Sequence, residues 1–396
     1  MKTRVIYLLV FGFAILLSSC KEGEPEIQPD ESFLKIFNNE SFESVYIPVD
    51  FVQSSDSSYF ILGSYDYKNS YVMKADKFGK FQWDFELDEN YVNPIPGIFE
   101  RNGTFYFFCM DELSLNTVLF QVSDSSSAPQ VAQTYGISFP LYASQTSDGG
   151  IIMLSYDYEN QASRLNKFDA DFNLTNGGAE GYPVLDDFLE LIDGHINRTG
   201  ARMPFFTGEA NGRYFFNGFS NYTLAIHFID KSNYSLTGVI NGFQKGEEGV
   251  SGLLNISGNN YLLTRYSFNE NFIIPASQID ENSVMTSTDF GGNDHPEIAQ
   301  RGFFYLDLLD INGESTLVAG TTTKSDQNIL YFYDPNSGEL VGSKRLGYNN
   351  PYELVKIIQS NDGGLTILGN TYVLGRFSRI YLYKLSEQDL IDIASN

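Results

Sequence analysis

The chain of 396 residues carries 50 Asp and Glu against 25 Lys and Arg, a net charge of −25, with 33 Phe and 26 Tyr but one Trp and two Cys. So large an excess of acid repels phosphate backbones and anionic lipid surfaces, which argues against a nucleic-acid binder and against membrane association through a basic patch. With 42% hydrophobic residues, 35 Gly and 13 Pro, the sequence has the apolar surface to offset its ordering entropy and is punctuated for short strands and turns rather than for disorder.

Residues 1–19 read as an export signal: Lys2 and Arg4 give a basic start, Val5 to Leu17 an apolar run, and Ser18 and Ser19 precede Cys20. The run is shorter than the ~20 residues a membrane-spanning helix needs. Leu17-Ser18-Ser19-Cys20 resembles the lipobox of bacterial lipoproteins, which implies that Cys20 is acylated and heads the mature chain. The alternative is an ordinary secretory signal cut near Ser19, leaving a free thiol. Residues 20–32 are acidic and proline-bearing and read as a flexible tether. Lys21 followed by acidic residues also resembles the export signal of Bacteroidetes-type lipoproteins, which implies an outer-membrane anchor facing the cell surface. With Cys20 lipidated, Cys109 has no disulfide partner, and within the apolar run Thr104 to Met110 it reads as a buried small hydrophobe.

From residue 33 to 386 the sequence repeats itself. A Gly, Asp or Asn turn is followed by an apolar run rich in β-branched and aromatic residues, then by a second run that ends at Asp76, Asp124, Asp169, Asp230, Asp280, Asp334 and, without the Asp, at Ser386. A period of about fifty residues with four short strands per unit predicts an all-β, seven-bladed β-propeller, four antiparallel strands per blade, in a single domain. Residues 387–396 form a polar tail with no convincing strand, so the last unit lacks a fourth strand. Phe33-Leu34-Lys35-Ile36-Phe37 is the candidate to complete it and close the ring. The lines Asp148-Gly149-Gly150-Ile151, Lys167-Phe168-Asp169 and Tyr381-Leu382-Tyr383-Lys384-Leu385 resemble those of propeller lipoproteins common in Bacteroidetes. That resemblance implies a fold and no particular activity.

Asp169, Asp171 and Asn173 have the alternate spacing that opens a calcium loop, but no Gly at the sixth position and no Glu at the twelfth follow. The same slot in other units reads as a hairpin turn, and no metal is expected. His195, His227 and His295 are the whole histidine supply, none at zinc-ligand spacing, and His227 falls inside a strand. No nucleophile elbow, Cys–His pair or phosphate loop is present, and no cofactor is expected.

The turns between second and third strands carry the more specific pattern. Tyr65-Asp66-Tyr67 and Tyr156-Asp157-Tyr158 occupy the same slot, with Phe219, Tyr222, Phe268 and Tyr372 in the corresponding places. These rings either line a recognition face or cap the gaps between blades. Two long connections open on that face: 185–202, in which Leu185, Phe188, Leu189 and Ile192 predict a short amphipathic helix, and 287–301, which holds Asp294 and His295. Three functions are consistent with this: a non-catalytic binding or scaffold propeller, held to the membrane by its lipid and serving an outer-membrane complex; a surface glycan-binding protein; and a carbohydrate-active enzyme with dispersed carboxylates. The expected partners are the membrane and a protein or glycan on the loop-bearing face, with no nucleic acid.

Overall fold

The Asp residues that end the repeats fold the chain back on itself. Asp76 Oδ1 accepts the backbone N–H groups of Phe78 and Lys80 at 2.9 and 2.8 Å, and Asp334 Oδ1 those of Asn336 and Ser337 at 2.9 and 2.7 Å. Asp169 Oδ1 does the same with Asp171 and Asn173 at 2.8 and 2.9 Å, so residues 169–173 are a hairpin turn whose carboxylate is taken up by amides. The apolar runs on either side of these turns become strands of antiparallel meanders. They are seen in a computed structural model that describes residues 31–37, 44–123, 128–175, 180–199, 202–347, 350–373 and 377–395.

Hydrogen bonding among the described residues gives six sheets where the repeats predict seven. The difference lies in one nine-stranded sheet. Its first meander runs from Tyr46–Gln53 to Phe81–Glu86 and its second from Ile98–Arg101 to Gln130–Ser138; the two-residue strand Tyr91–Val92 joins them, with Val92 paired to both Asn69 and Met110. A connection that bonds to both neighbours fuses them. Two further departures concern the fourth strands. Val284–Thr286 adds in parallel to Leu236–Gln244 as a fifth strand, and the next unit ends in a strand of only two residues, Asn293–Asp294.

Asp50, Tyr142, Thr207, Gly252, Tyr305 and Lys356, one from each sheet, all line a single central cavity. Sheets ranged round an axis in this way make an all-β propeller. The N-terminal strand Phe33–Ile36 pairs antiparallel with Phe377–Leu385, placing Phe33 opposite Lys384 and Ile36 opposite Tyr381. The sheet so completed packs on the first meander, with Phe51, Tyr59 and Ile61 sharing a core cluster with Val355, Leu368 and Leu382. Each such side chain contributes about 1.5–3 kcal/mol by leaving water. Gly79, at φ +72, lets Phe33 lie on its turn; a Cβ there would stand 2.7 Å from the Phe33 ring.

Two local expectations are corrected. Residues 387–394 are not a featureless tail but a helix, Glu387–Ala394, that buries Leu390 and Ile393 against Leu309 and its neighbours. Ser386 caps it, its Oγ accepting the Asp389 N–H at 3.1 Å. Ser386 and Asp389 carry the Ser-x-x-Asp signature of a capping box in the sequence itself. The helix in the long connection spans Leu189–Ile196, α1 below, rather than 185–192. Leu185 is drawn off by its N–H bond to the Asn221 carbonyl at 2.7 Å and is exposed, while Asp187 Oδ1 accepts the Leu189 N–H at 3.0 Å.

The export signal, Cys20 and the tether up to residue 30 lie outside the described residues. No described helix is long and apolar enough to cross a membrane. Cys109 is fully buried and unpaired, and burial pushes its thiol far above the usual range, which leaves it inert.

Candidate functional site

The rings of the second-to-third-strand turns divide into two groups. Tyr67, Tyr158, Tyr222, Phe268 and Tyr372 are exposed, by 48, 50, 52, 53 and 36%. Tyr156 and Phe219 are buried and cannot stack on a ligand. Phe219 lies face to face with Phe188 of the long connection at 4.0 Å and edge-on to Phe205 at 5.8 Å, so it fills the seam between units. The division follows from the pleat: Tyr156 is still in the ladder, opposite Ser163, whereas Tyr158 stands in the turn beyond it. Tyr65 is half-buried, its hydroxyl donating to the Leu87 carbonyl at 3.4 Å.

Two of the accompanying acids are engaged within the protein. Asp157 Oδ2 accepts from Arg164 Nε at 2.7 Å and from Asn160 Nδ2 at 2.8 Å, which makes it part of its own turn. Among the described residues, Asp66 accepts a single hydrogen bond, from the Val45 N–H to Oδ1 at 3.2 Å. Asp66, Tyr67 and Phe268 hold φ of 46, 73 and 53, a left-handed backbone that costs a residue with a Cβ roughly 1–2 kcal/mol.

Asp294 is exposed in the short strand opposite Phe272. His295 beside it is half-buried, its ring edge-on to Tyr331 at 4.9 Å and its Nδ1 3.7 Å from Glu297 Oε1, which also accepts the Tyr331 hydroxyl at 2.6 Å. His195 lines the central cavity instead, and His227 is buried with its ring stacked on Phe216 at 4.7 Å. The described residues contain no cluster of three His, Cys, Asp or Glu that could hold a metal.

The long connection 185–202 was expected to form a rim over the central channel; the residues that line the cavity there were not singled out from the sequence. The cavity has a volume of about 280 Å³ and is roofed by residues that follow α1, Arg198, Arg202 and Met203 among them. Asp50 is the one carboxylate among the described residues of its lining. Its Oδ1 takes the Lys356 ammonium, and its Oδ2 accepts the Gly97 and Ile98 N–H groups at 2.8 and 3.1 Å. Arg198 is different: its Nη1 donates to the carbonyls of Ile196 at 3.0 Å and Tyr67 at 3.2 Å, its Nη2 to that of Pro94 at 2.9 Å, and no described carboxylate is within 4 Å.

Burial, with Arg202 adding repulsion, brings the Arg198 guanidinium down to about 9, still charged at neutral pH. Burial first, then Arg202 and Arg198, hold the His195 imidazole well below its usual range. Its Nδ1 accepts the Met203 N–H at 3.0 Å, which leaves the proton of the neutral ring on Nε2. Burial pushes the Tyr305 phenol up to about 12 and that of Tyr142 further, so both stay protonated hydrogen-bond donors. The signal that could have revealed this group was Arg198 and Arg202, two cations four residues apart in the longest connection of a strongly acidic chain.

No family model matches the sequence, and no curated protein is significantly similar to it. Among solved structures, the chain is similar to a catalytically inactive virginiamycin B lyase from Staphylococcus aureus crystallised with quinupristin. The two are 11% identical, with 89% of this chain and 99% of that one covered, at a TM-score of 0.51. The β-propeller domain of the Trilobed protease from Pyrococcus furiosus, described as having an open velcro topology, aligns over 87% of this chain and 98% of its own at 9% identity and a TM-score of 0.47. At such identities the likeness concerns the fold alone.

Proposed function

We propose that the protein is a lipid-anchored, seven-bladed propeller that acts as a binding module on the outer membrane, docking a partner protein on its loop-bearing face. This reading counts the nine-stranded sheet as two blades, one for each of its meanders. The observation that carries the docking role is the set of exposed rings, Tyr67, Tyr158, Tyr222 and Phe268 in the same turn of four units and Tyr372 at the end of the second strand of a fifth. A ring that only filled the gap between blades would be buried, as Tyr156 and Phe219 are. Large rings held on short turns bring contact area at low entropic cost, which is what an interface anchor needs.

Cys20 acylation supplies the membrane attachment in this reading, and residues 21–32 the reach. The test is co-purification from membranes of the full-length chain, with a variant carrying Tyr67→Ala, Tyr158→Ala and Phe268→Ala alongside. A stoichiometric membrane protein lost in the variant supports the docking role; recovery of the wild-type chain alone refutes it. Release of Cys20→Ala from the membrane fraction tests the anchor separately.

A second reading, glycan binding, rests on Asp66, which precedes Tyr67 in the chain and whose carboxylate has a single hydrogen bond among the described residues. Glycan-array binding that disappears in the triple variant would favour it. The enzyme reading finds less support at the cavity, where Asp50 is already held by Lys356 and backbone amides and has no second carboxylate in the lining beside it.

A further inference from the structure

We propose that the central cavity is a binding site for a small organic carboxylate with an apolar body, the carboxylate held by Arg198 and Arg202. The inference does not depend on the aromatic face.

Charge gives the first argument. The protein as a whole carries −25, yet the cavity roof presents two guanidiniums. Lys356 and Asp50 cancel one another below them. Arg202 comes no closer than 3.9 Å to the partly exposed carboxylate of Glu353, too far for a hydrogen bond, and Arg198 has only carbonyls. Two neighbouring cations with so little compensation repel each other, and an anion between them relieves that repulsion.

Donor capacity gives the second. A guanidinium has five N–H groups in a planar fork suited to bidentate carboxylate binding. Arg198 uses three, and Arg202 makes no side-chain hydrogen bond to any described residue. The hydroxyls of Tyr142 and Tyr305 likewise have no described hydrogen-bond partner, and both line the same space. Several donors therefore converge where Asp50, the lone acceptor carboxylate of the lining, is saturated.

Shape gives the third. About 280 Å³ is the scale of a small organic molecule. Phe205, Phe303 and Leu141 supply apolar wall, with Arg202 lying 5.5 Å over the Phe303 ring, a surface that a bare inorganic anion would not use. Arg202 and Lys356 keep 25% and 31% of their side-chain surface exposed, so solvent and solutes reach both.

The test is calorimetric titration of the full chain with benzoate, phenylacetate, hexanoate and glucuronate, with benzamide and inorganic phosphate as controls. Saturable one-to-one binding of at least one carboxylate, weakened tenfold or more by Arg202→Gln and absent for benzamide, is the expected result. Arg202→Gln leaves the three carbonyl bonds of Arg198 intact, so its fold serves as the reference. No carboxylate binding at millimolar concentration overturns the proposal. So does binding of phosphate in preference to every carboxylate, or carboxylate affinity unchanged by Arg202→Gln.

Discussion

The Arg198 guanidinium donates to the backbone carbonyl of Tyr67 at 3.2 Å, tying the roof of the central cavity to a turn that bears an exposed ring. The bond spans 131 residues of sequence. Arg198 also holds Pro94 and Ile196, so one side chain links three segments. Arg198→Ala removes all three bonds and is expected to cost about 2–4 kcal/mol in urea denaturation, each bond from a charged donor being worth about 1.5–3 kcal/mol less what water restores. Arg202→Ala, whose one ion pair among the described residues is with the partly exposed Glu353, is expected to change stability by less than about 1 kcal/mol.

His227 makes the fold sensitive to mild acid. Burial holds its imidazole down to about 4, against roughly 6.5 when unfolded. As pH falls through 6.5 the unfolded chain takes up a proton that the folded one refuses, so stability declines from there to about pH 4. The full decline is on the order of 3 kcal/mol. His227→Phe, which keeps the stack on Phe216, is expected to remove its share of that decline when urea midpoints at pH 7 and pH 5 are compared, the slope that remains being that of His195, whose buried imidazole is likewise held down.

Ring closure depends on a single short strand. Phe33 is buried, and Phe33→Ala is expected to cost about 3–5 kcal/mol. Leu34→Ala, on the exposed side of the same strand, is expected to cost less than about 1 kcal/mol. Thermal unfolding of the two variants checks the contrast, and equal losses would mean that the strand does not seal the seam.

Phe268 sits at φ 53 with its ring half in solvent. Phe268→Gly is expected to be more stable than Phe268→Ala by about 1 kcal/mol, since glycine alone occupies that backbone region without strain. Chemical denaturation of the pair measures it. Both variants lose the ring, so their shared loss of partner binding reads the docking role apart from the strain.

Much of this architecture was legible because turns and strands are local. Asp76, Asp169 and Asp334 announce their hairpins through their own backbones, and the unpartnered run at Phe33 predicted its place beside Tyr381. The six-sheet pattern was not, because Val92 bonding to both Asn69 and Met110 is a tertiary event with no composition signature. On the face, Tyr156 and Tyr158 are alike in composition and spacing and differ by where the ladder stops. The lining of the cavity was not legible for a similar reason: it is assembled from short runs such as 93–96, 202–207, 251–253, 303–306 and 355–357, far apart in the chain and brought together only by closure of the ring.

Ser32 Oγ accepts the Ser386 N–H at 2.8 Å and donates to Asp389, so the chain departs from the ring at the point where it enters. The order in which the units are strung is therefore separable from the shape they make. A circular permutant with residue 395 joined to residue 31 through a linker, so that the helix Glu387–Ala394 is kept, and new ends cut in the exposed turn at Asn336, would retain every sheet while moving the chain ends to another part of the rim.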